Sequence, residues 1–404
     1  MTALSFLGLA NYTPTRYKYQ EQEVETHLFP VAFTQFVKPD ELKVVMTQQA
    51  QEMHYATLQQ KLKGVVTLTP ILIPEGKSEK DLWFMFDKIV ESIPNGATLA
   101  VDVTHGFRSQ PILMLAICFY LRLVHDVEIP HILYGAFEAR SEKTNITPVF
   151  ELTPFLFLMD WTIALDKFIK LGNADELSKL MATAHQQAYH QPSNAGVDLP
   201  KKLKSLGAHI QHITQALAAI RPQETMETAR SMIGIIDRVS DEVSTWAKPF
   251  TANLSRAKRE YGRLISDDDK PFSTAGMKAQ FNMIQWYLRK QQYVQCVTLA
   301  REWLISQLCL LKQRDPIDRD DRQSIEHMLG TWISDVKKNE PPSGVLFGIP
   351  EKDIAALFAS LSDTRNDMNH AGMRKNPKPA AAVIKSIEHL VVELEQMKIK
   401  FTGK

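Results

Sequence analysis

Along the first 150 residues the apolar positions change period repeatedly. Short runs at 3–9, 42–46, 65–73, 98–103 and 129–137 read as buried strands. Between them lie stretches of helical spacing: roughly 48–62, a face of Leu82, Phe86, Ile89 and Val90 behind a capping Ser78, and 111–124 with Pro111 in its first turn. A polar, Tyr-rich segment at 11–26 leads into the apolar 27–37 and reads as a hairpin inserted after the first strand. Strand–helix alternation of this kind predicts a parallel, Rossmann-like sheet with helices on both faces. In such sheets ligands bind beyond the carboxyl ends of the strands.

From about residue 154 the period is helical. Residues 155–171 are strongly apolar, and 203–220 and 231–246 are amphipathic. Ser266-Asp267-Asp268-Asp269-Lys270-Pro271 reads as a boundary, after which 272–404 is expected to be all helical. Val297, Ala300, Leu304, Ile305 and Leu308 form one stripe there, and Val383, Ile384, Ile387, Leu390, Val391, Leu394 and Met397 another, as in a small bundle. The expected division is 1–153 as an α/β domain, 154–270 as a helical connector and 271–404 as a helical bundle.

Composition narrows the class. The chain has 404 residues, is 44% hydrophobic and 23% charged, and carries a net charge of +1, so no global field recruits a polyanion and any such contact must be a local patch. Cys118, Cys296 and Cys309 stand singly in apolar helical patterns and read as core residues of a reduced compartment. The longest apolar run, 112–121, stops at Arg122 and is too short to span a bilayer. No signal peptide opens the chain, and a cytoplasmic protein without membrane contact is expected. The aspartates at 267–269 read as a solvated turn. Asp315, Asp318, Asp320 and Asp321 are interleaved with Arg314, Arg319 and Arg322, so no metal site is expected.

Two strand ends carry unusual residues. Gly8-Leu9-Ala10-Asn11-Tyr12 follows the first strand, and Asp102-Val103-Thr104-His105-Gly106-Phe107-Arg108 follows the strand at 98–103. Gly106 permits close backbone approach, and the helix after Pro111 aims its free N–H groups at the loop. Thr104, His105 and Arg108 add donors suited to a phosphate, and Tyr12 offers a stacking face for a base. Neither GxGxxG nor GxxxxGK[ST] is present. On the residues alone, the loop is either an anion or nucleotide pocket or a structural turn.

A third stretch lies near the C-terminus. Ile354, Leu357, Phe358 and Leu361 mark an apolar stripe, and its next position is Arg365; five residues on is His370, suited to moving protons near neutral pH. Five residues span about 140° of an ideal helix, so a straight helix aims the two groups apart. Either Asn366, Asp367 and Asn369 distort the helix, or Ser362 or Asp363 caps a new one. After His370 come seven Lys or Arg against three Glu, with Arg374, Lys375 and Lys378 beside the motif. That balance suits a polyanionic substrate, or a solvated tail.

Together these pieces resemble the DxTHG family of type III CRISPR ancillary proteins, which join an N-terminal CARF domain, a Rossmann-like sensor of cyclic oligoadenylate, to a C-terminal HEPN ribonuclease domain. The resemblance rests on Gly8–Tyr12, on Asp102-Val103-Thr104-His105-Gly106 and on Arg365-Asn366-Asp367-Met368-Asn369-His370. It covers both ends of the chain and leaves roughly 155–265 unmatched. It implies an activator pocket of Asn11, Tyr12, Thr104, His105, Gly106, Phe107 and Arg108, braced from below by Asp102. It implies nuclease residues Arg365, Asn366 and His370. The first loop departs from the family in lacking the Thr or Ser that often follows its glycine.

The implied function is an activator-gated, metal-independent endoribonuclease. Its expected partners are single-stranded RNA, cyclic oligoadenylate (cyclic tetra-adenylate being the ring expected) and a second copy of the chain, in a homodimer or higher even oligomer; no cofactor is implied. RNA carries its own nucleophile, the 2′-hydroxyl, so cleavage requires a proton shuttle, charge stabilisation and in-line geometry. His370, Arg365 and Asn366 suit the three tasks, with 2′,3′-cyclic phosphate and 5′-hydroxyl ends as products. The alternatives are a non-enzymatic regulator whose helical half binds a protein or nucleic acid, and a sensor pocket that also degrades its cyclic activator.

Overall fold

A computed structural model describes residues 1–106, 110–190, 199–268, 270–373 and 375–402. Its contacts divide the chain into two compact units, Met1–Asp160 and Trp161–Lys404.

The first unit is built on one eight-stranded sheet. Its parallel heart comprises β1 (Thr2–Leu7), β4 (Glu41–Met46), β5 (Thr67–Leu72), β6 (Thr98–Asp102) and β7 (Glu128–Gly135), lying in the order β5-β4-β1-β6-β7. Successive side chains of β1 alternate faces, as the pleat requires. Ala3 and Leu7 join the core under helices α1 (Phe29–Val37) and α3 (Ala56–Leu62), while Leu4 and Phe6 join the core under α4 (Glu79–Ser92) and α5 (Gln110–Val124). Helices therefore cover both faces, and the Rossmann-like architecture expected from the sequence is the one observed. The strand order reverses between β1 and β6. The crevice beyond their carboxyl ends is the switch point where such folds place ligands.

The hairpin expected at 11–26 is present as β2 (Thr15–Tyr19) and β3 (Gln22–Thr26), but the apolar segment after it forms α1 rather than a strand. The hairpin extends the main sheet through β8 (Ile146–Glu151), a strand the apolar pattern did not reveal; β8 runs antiparallel to β7 and parallel to β2. Between α2 (Gln48–Ala50) and α3 the helix widens into a π-turn, Gln51–Tyr55.

The second unit follows from within α6 (Thr153–Leu171). It continues through α7 (Asp175–His190), α8 (Leu203–Ala218), α9 (Pro222–Ile236), α10 (Ser240–Trp246) and α11 (Lys248–Gly262). Then come α12 (Thr274–Arg289), α13 (Tyr293–Leu311), α14 (Arg319–Lys337), α15 (Glu351–Asn369) and α16 (Ala380–Thr402). The amphipathic stretch at 231–246 is two helices, α9 and α10. The C-terminal third is not wholly helical either: β9 (Val345–Leu346) and β10 (Ile349–Pro350) form a short antiparallel pair before α15.

One apolar core runs through this unit, from Phe168 and Leu206 to Trp303, Leu361 and Leu394. Buried polar atoms are tied across it. The Tyr261 hydroxyl donates to the Phe168 carbonyl at 3.2 Å, and the Tyr287 hydroxyl to the Leu217 carbonyl at 2.6 Å. The three cysteines are buried and unbridged.

Candidate functional sites

At the switch point the chain reverses tightly after β1, and the Gly8 N–H donates to the Tyr12 hydroxyl at 2.8 Å. Asp102, the last residue of β6, is wholly buried. Its Oδ1 accepts the Thr104 N–H at 2.7 Å and its Oδ2 accepts the Ser5 hydroxyl. Burial pushes the Asp102 carboxyl up to about 6, against the opposing pull of those hydrogen bonds. Asp102 thus lies under the loop and ties it to β1. Thr104 is tied in turn to β7, its hydroxyl oxygen accepting the Gly135 N–H at 2.8 Å.

His105 closes the constellation. Its Nε2 accepts the N–H of Phe29 at 3.1 Å, one of the donors that the first turn of α1 leaves without a helical partner. Accepting at Nε2 places the imidazole proton on Nδ1. Burial, and next the histidines at 54 and 27, push His105 down to about 3, so it is neutral at physiological pH. The Tyr12 ring makes tilted contacts with two histidines, with centroids 3.9 Å from His105 and 4.8 Å from His54. Burial raises the Tyr12 phenol to about 12, which keeps it protonated. Gly8 is required by this packing, since a Cβ there would lie 2.9 Å from the His105 carbonyl oxygen and 3.3 Å from the Tyr12 hydroxyl.

The fold therefore brings Gly8, Tyr12, Thr104, His105 and Gly106 to one end of the sheet. Asn11 is exposed there, and Phe107 and Arg108 lie outside the described residues. The phosphate-donor expectation for His105 changes in detail: Nε2 is an acceptor already engaged by α1, which leaves only Nδ1–H to donate. The sequence reading missed His54, Ser5 and the N-terminus of α1. His54 sits in the π-turn after β4, and its buried Nε2 has no hydrogen-bond partner among the described residues. Because β4 adjoins β1, its position in the helix that follows that strand was the available signal.

In the second unit α15 runs without interruption to Asn369; neither a distortion nor a new cap at Ser362 or Asp363 is present. His370 is the C-cap residue. The helix closes with Ala371 N–H on the Met368 carbonyl at 3.0 Å and Gly372 N–H on the Asp367 carbonyl at 2.8 Å, the paired bonds of a Schellman stop. Ala371 holds the left-handed position at φ 53°. His370 is exposed, Arg365 half-buried and Asn366 exposed. Arg365 donates from Nη1 to Asn366 Oδ1 at 3.1 Å, while its buried Nε has no acceptor among the described residues.

The face of α15 that precedes this motif is anchored by Arg301 of α13. Its Nε donates to the Ser362 hydroxyl at 3.2 Å, and its guanidinium lies 4.9 Å from the Phe358 ring centroid. Arg374 lies outside the described residues. The acidic segments hold a helix cap at Asp318 and a turn at Asp268. Asp318 accepts the N–H groups of Asp320 and Asp321 at 2.9 Å each, and Asp268 accepts the hydroxyls of Ser266 and Ser273 at 2.7 Å each. Among the described residues no group of three or more His, Cys, Asp or Glu could hold a metal, and no helix is long and apolar enough to cross a membrane.

Comparison with known proteins decides the first unit. Residues 2–138 match the family described as CRISPR system endoribonuclease Csx1, CARF domain. The N-terminal unit is CARF-like. Residues 157–267, in the helical stretch that the family resemblance left unmatched, match the second domain of CRISPR-associated protein MJ1674. The MJ1674 protein of Methanocaldococcus jannaschii is itself 23% identical over 230 residues, 54% of this chain, and the match spans only 33% of that relative's length. Among solved structures, Enterococcus italicus Csm6 bound to cyclic hexa-2′-fluoro-hexa-dAMP overlies the chain with a TM-score of 0.43 and 9% identity, over 100% of this chain and 94% of that one. That likeness is too distant to add to the CARF match.

Proposed function

We propose that this chain is a cyclic-oligoadenylate-activated endoribonuclease of type III CRISPR defence, acting in the cytoplasm as a homodimer or higher even oligomer. The observation that carries the reading is a coincidence of place. The CARF match spans 2–138, and within it the loops at Gly8–Tyr12 and Thr104–Gly106 converge on the switch-point crevice. Cyclic oligoadenylate is a ring of phosphates and bases. The crevice suits it with the Thr104 hydroxyl, the Nδ1–H of His105, Asn11, and the Tyr12 ring as a stacking face; Gly106, Phe107 and Arg108 complete the proposed pocket. A symmetric ring on a two-fold axis would be gripped by two such pockets.

In the helical unit, Arg365, Asn366 and His370 are proposed as the nuclease residues. The 2′-oxygen of the RNA attacks the adjacent phosphorus, its proton passes to a base, and the bond to the 5′-oxygen breaks as that oxygen takes a proton. An exposed imidazole such as His370 serves the proton transfers. The Arg365 guanidinium offsets charge on the phosphorane oxygens, with Asn366 holding its Nη1. Because the nucleophile belongs to the RNA, the chemistry requires no metal. Ligand binding changes activity only through unequal affinity for two states, so the ring must favour the cleaving arrangement.

The test is cleavage of labelled RNA in EDTA with each cyclic oligoadenylate in turn. Cleavage is expected with one ring size, leaving cyclic-phosphate and 5′-hydroxyl ends, and its loss is expected in His370→Ala with ring binding retained. Ring binding without cleavage would leave a nucleotide-binding regulator. Normal cleavage by His370→Ala would remove the nuclease assignment.

A further inference from the structure

Between α15 and α16 runs a groove of about 430 Å³. Its wall on α15 ends at Asp363 and Thr364, the two residues that precede Arg365, and its floor and far wall come from α16 and the segment before it. Lys378 and Lys385 line it, and both are exposed. Among the described residues neither ammonium has a carboxylate partner. The carboxylates of Asp363 and Glu393 line the groove as well. Thr364 and Ser386 add hydroxyls, and Glu393 stands 3.3 Å from the His389 ring nitrogen.

Unpaired cations interleaved with hydroxyls match a phosphodiester backbone better than a protein surface. Lysines supply the charge that phosphates need, hydroxyls hydrogen-bond phosphate and sugar oxygens, and a carboxylate such as Glu393 accepts from a ribose 2′-hydroxyl, which DNA lacks. We infer that the α15–α16 groove, with Lys378 and Lys385 as its phosphate contacts, is the track on which single-stranded RNA lies as it reaches Arg365. The inference rests on the nuclease reading above for its substrate, but the groove itself is tested by binding alone.

The experiment uses the full chain carrying His370→Ala, so that RNA is not consumed, and a fluorescein-labelled 12-nucleotide RNA read by anisotropy. Adding Lys378→Ala and Lys385→Ala should weaken RNA binding on the order of tenfold near 0.1 M salt, and the slope of log affinity against log salt should fall by about 1.4, about 0.7 for each lost contact. Cyclic oligoadenylate binding and the melting temperature should stay unchanged. Lys385→Glu should weaken RNA binding further without disturbing the fold, since its side chain is exposed. Equal affinity and equal slope for the parent and the lysine variants would overturn the inference, as would absence of RNA binding by the parent. RNA binding through these lysines, together with no cleavage by the chain that retains His370 under any cyclic oligoadenylate, would instead sink the nuclease reading and leave the groove standing.

Discussion

Gly8→Ala is the sharpest probe of the switch-point crevice. The added Cβ would stand 2.9 Å from the His105 carbonyl oxygen, where ordinary contact begins at 3.4 Å, so 0.5 Å must be found. The obstacle is backbone, not a flexible side chain. It is also pinned: His105 bonds the Phe29 N–H, while Thr104 is held through its N–H to Asp102 and through its hydroxyl to Gly135. Forcing extra volume into such packing costs about 1–3 kcal/mol. In a unit of 160 residues, about 2 kcal/mol lowers the melting temperature by about 4–8 °C. Opening the two loops should also weaken cyclic oligoadenylate by at least about tenfold, which is about 1.4 kcal/mol. Differential scanning fluorimetry and calorimetry read the two effects. Gly234→Ala is the control, because its Cβ would meet nothing within 4 Å and alanine is the better helix former. A Gly8→Ala protein that melts and binds like the wild type would refute both the contact and the placement of the pocket.

Two further outcomes concern stability. The unfolded chain protonates His105 near 6.5 but the fold only near about 3, so acidification below 6.5 favours unfolding, by about 2 kcal/mol at pH 5. Asp102 acts in the opposite sense: the fold takes its proton at about 6 and the unfolded chain at 3.8, returning about 1 kcal/mol over the same interval. Asp102→Asn should therefore steepen the loss between pH 7 and pH 5 from about 1 to about 2 kcal/mol in urea titrations, and parallel curves for the two proteins would contradict this. At the end of α15, Ala371 holds φ 53°, a position that glycine occupies without strain. Ala371→Gly should raise stability by about 0.5–1 kcal/mol after the entropy of the unfolded glycine is counted, and a lowered melting temperature would refute it.

What the sequence by itself determined follows from local periodicity. Period-two runs and helical stripes are written in neighbouring residues, so β1, β4, β5, β6, β7 and the helices between them were legible. So was the short-range chemistry of the loops, because Asp102, Thr104 and His105 stand within four residues. Elements that depend on distant partners were not. β8 contains Pro148 and exists through its pairing with β7 and β2. The break between α9 and α10 was masked because Ile235, Ile236, Val239 and Val243 are all buried, so the apolar period runs on across it.

The strand order, which only tertiary packing decides, sets Gly8 against His105 across 97 positions and brings His54 to Tyr12. The sequence likewise marked Arg365 and His370 as candidates but left their relation open. Burial of Leu361 and Thr364 carries the helix through its weak formers as far as His370, whose N–H still bonds the Asn366 carbonyl, and the Schellman stop turns the chain away only at Ala371. Hydrogen-bond closure of a helix end depends on the residues after it adopting left-handed backbone. Here that falls to an alanine, which no local propensity would have selected.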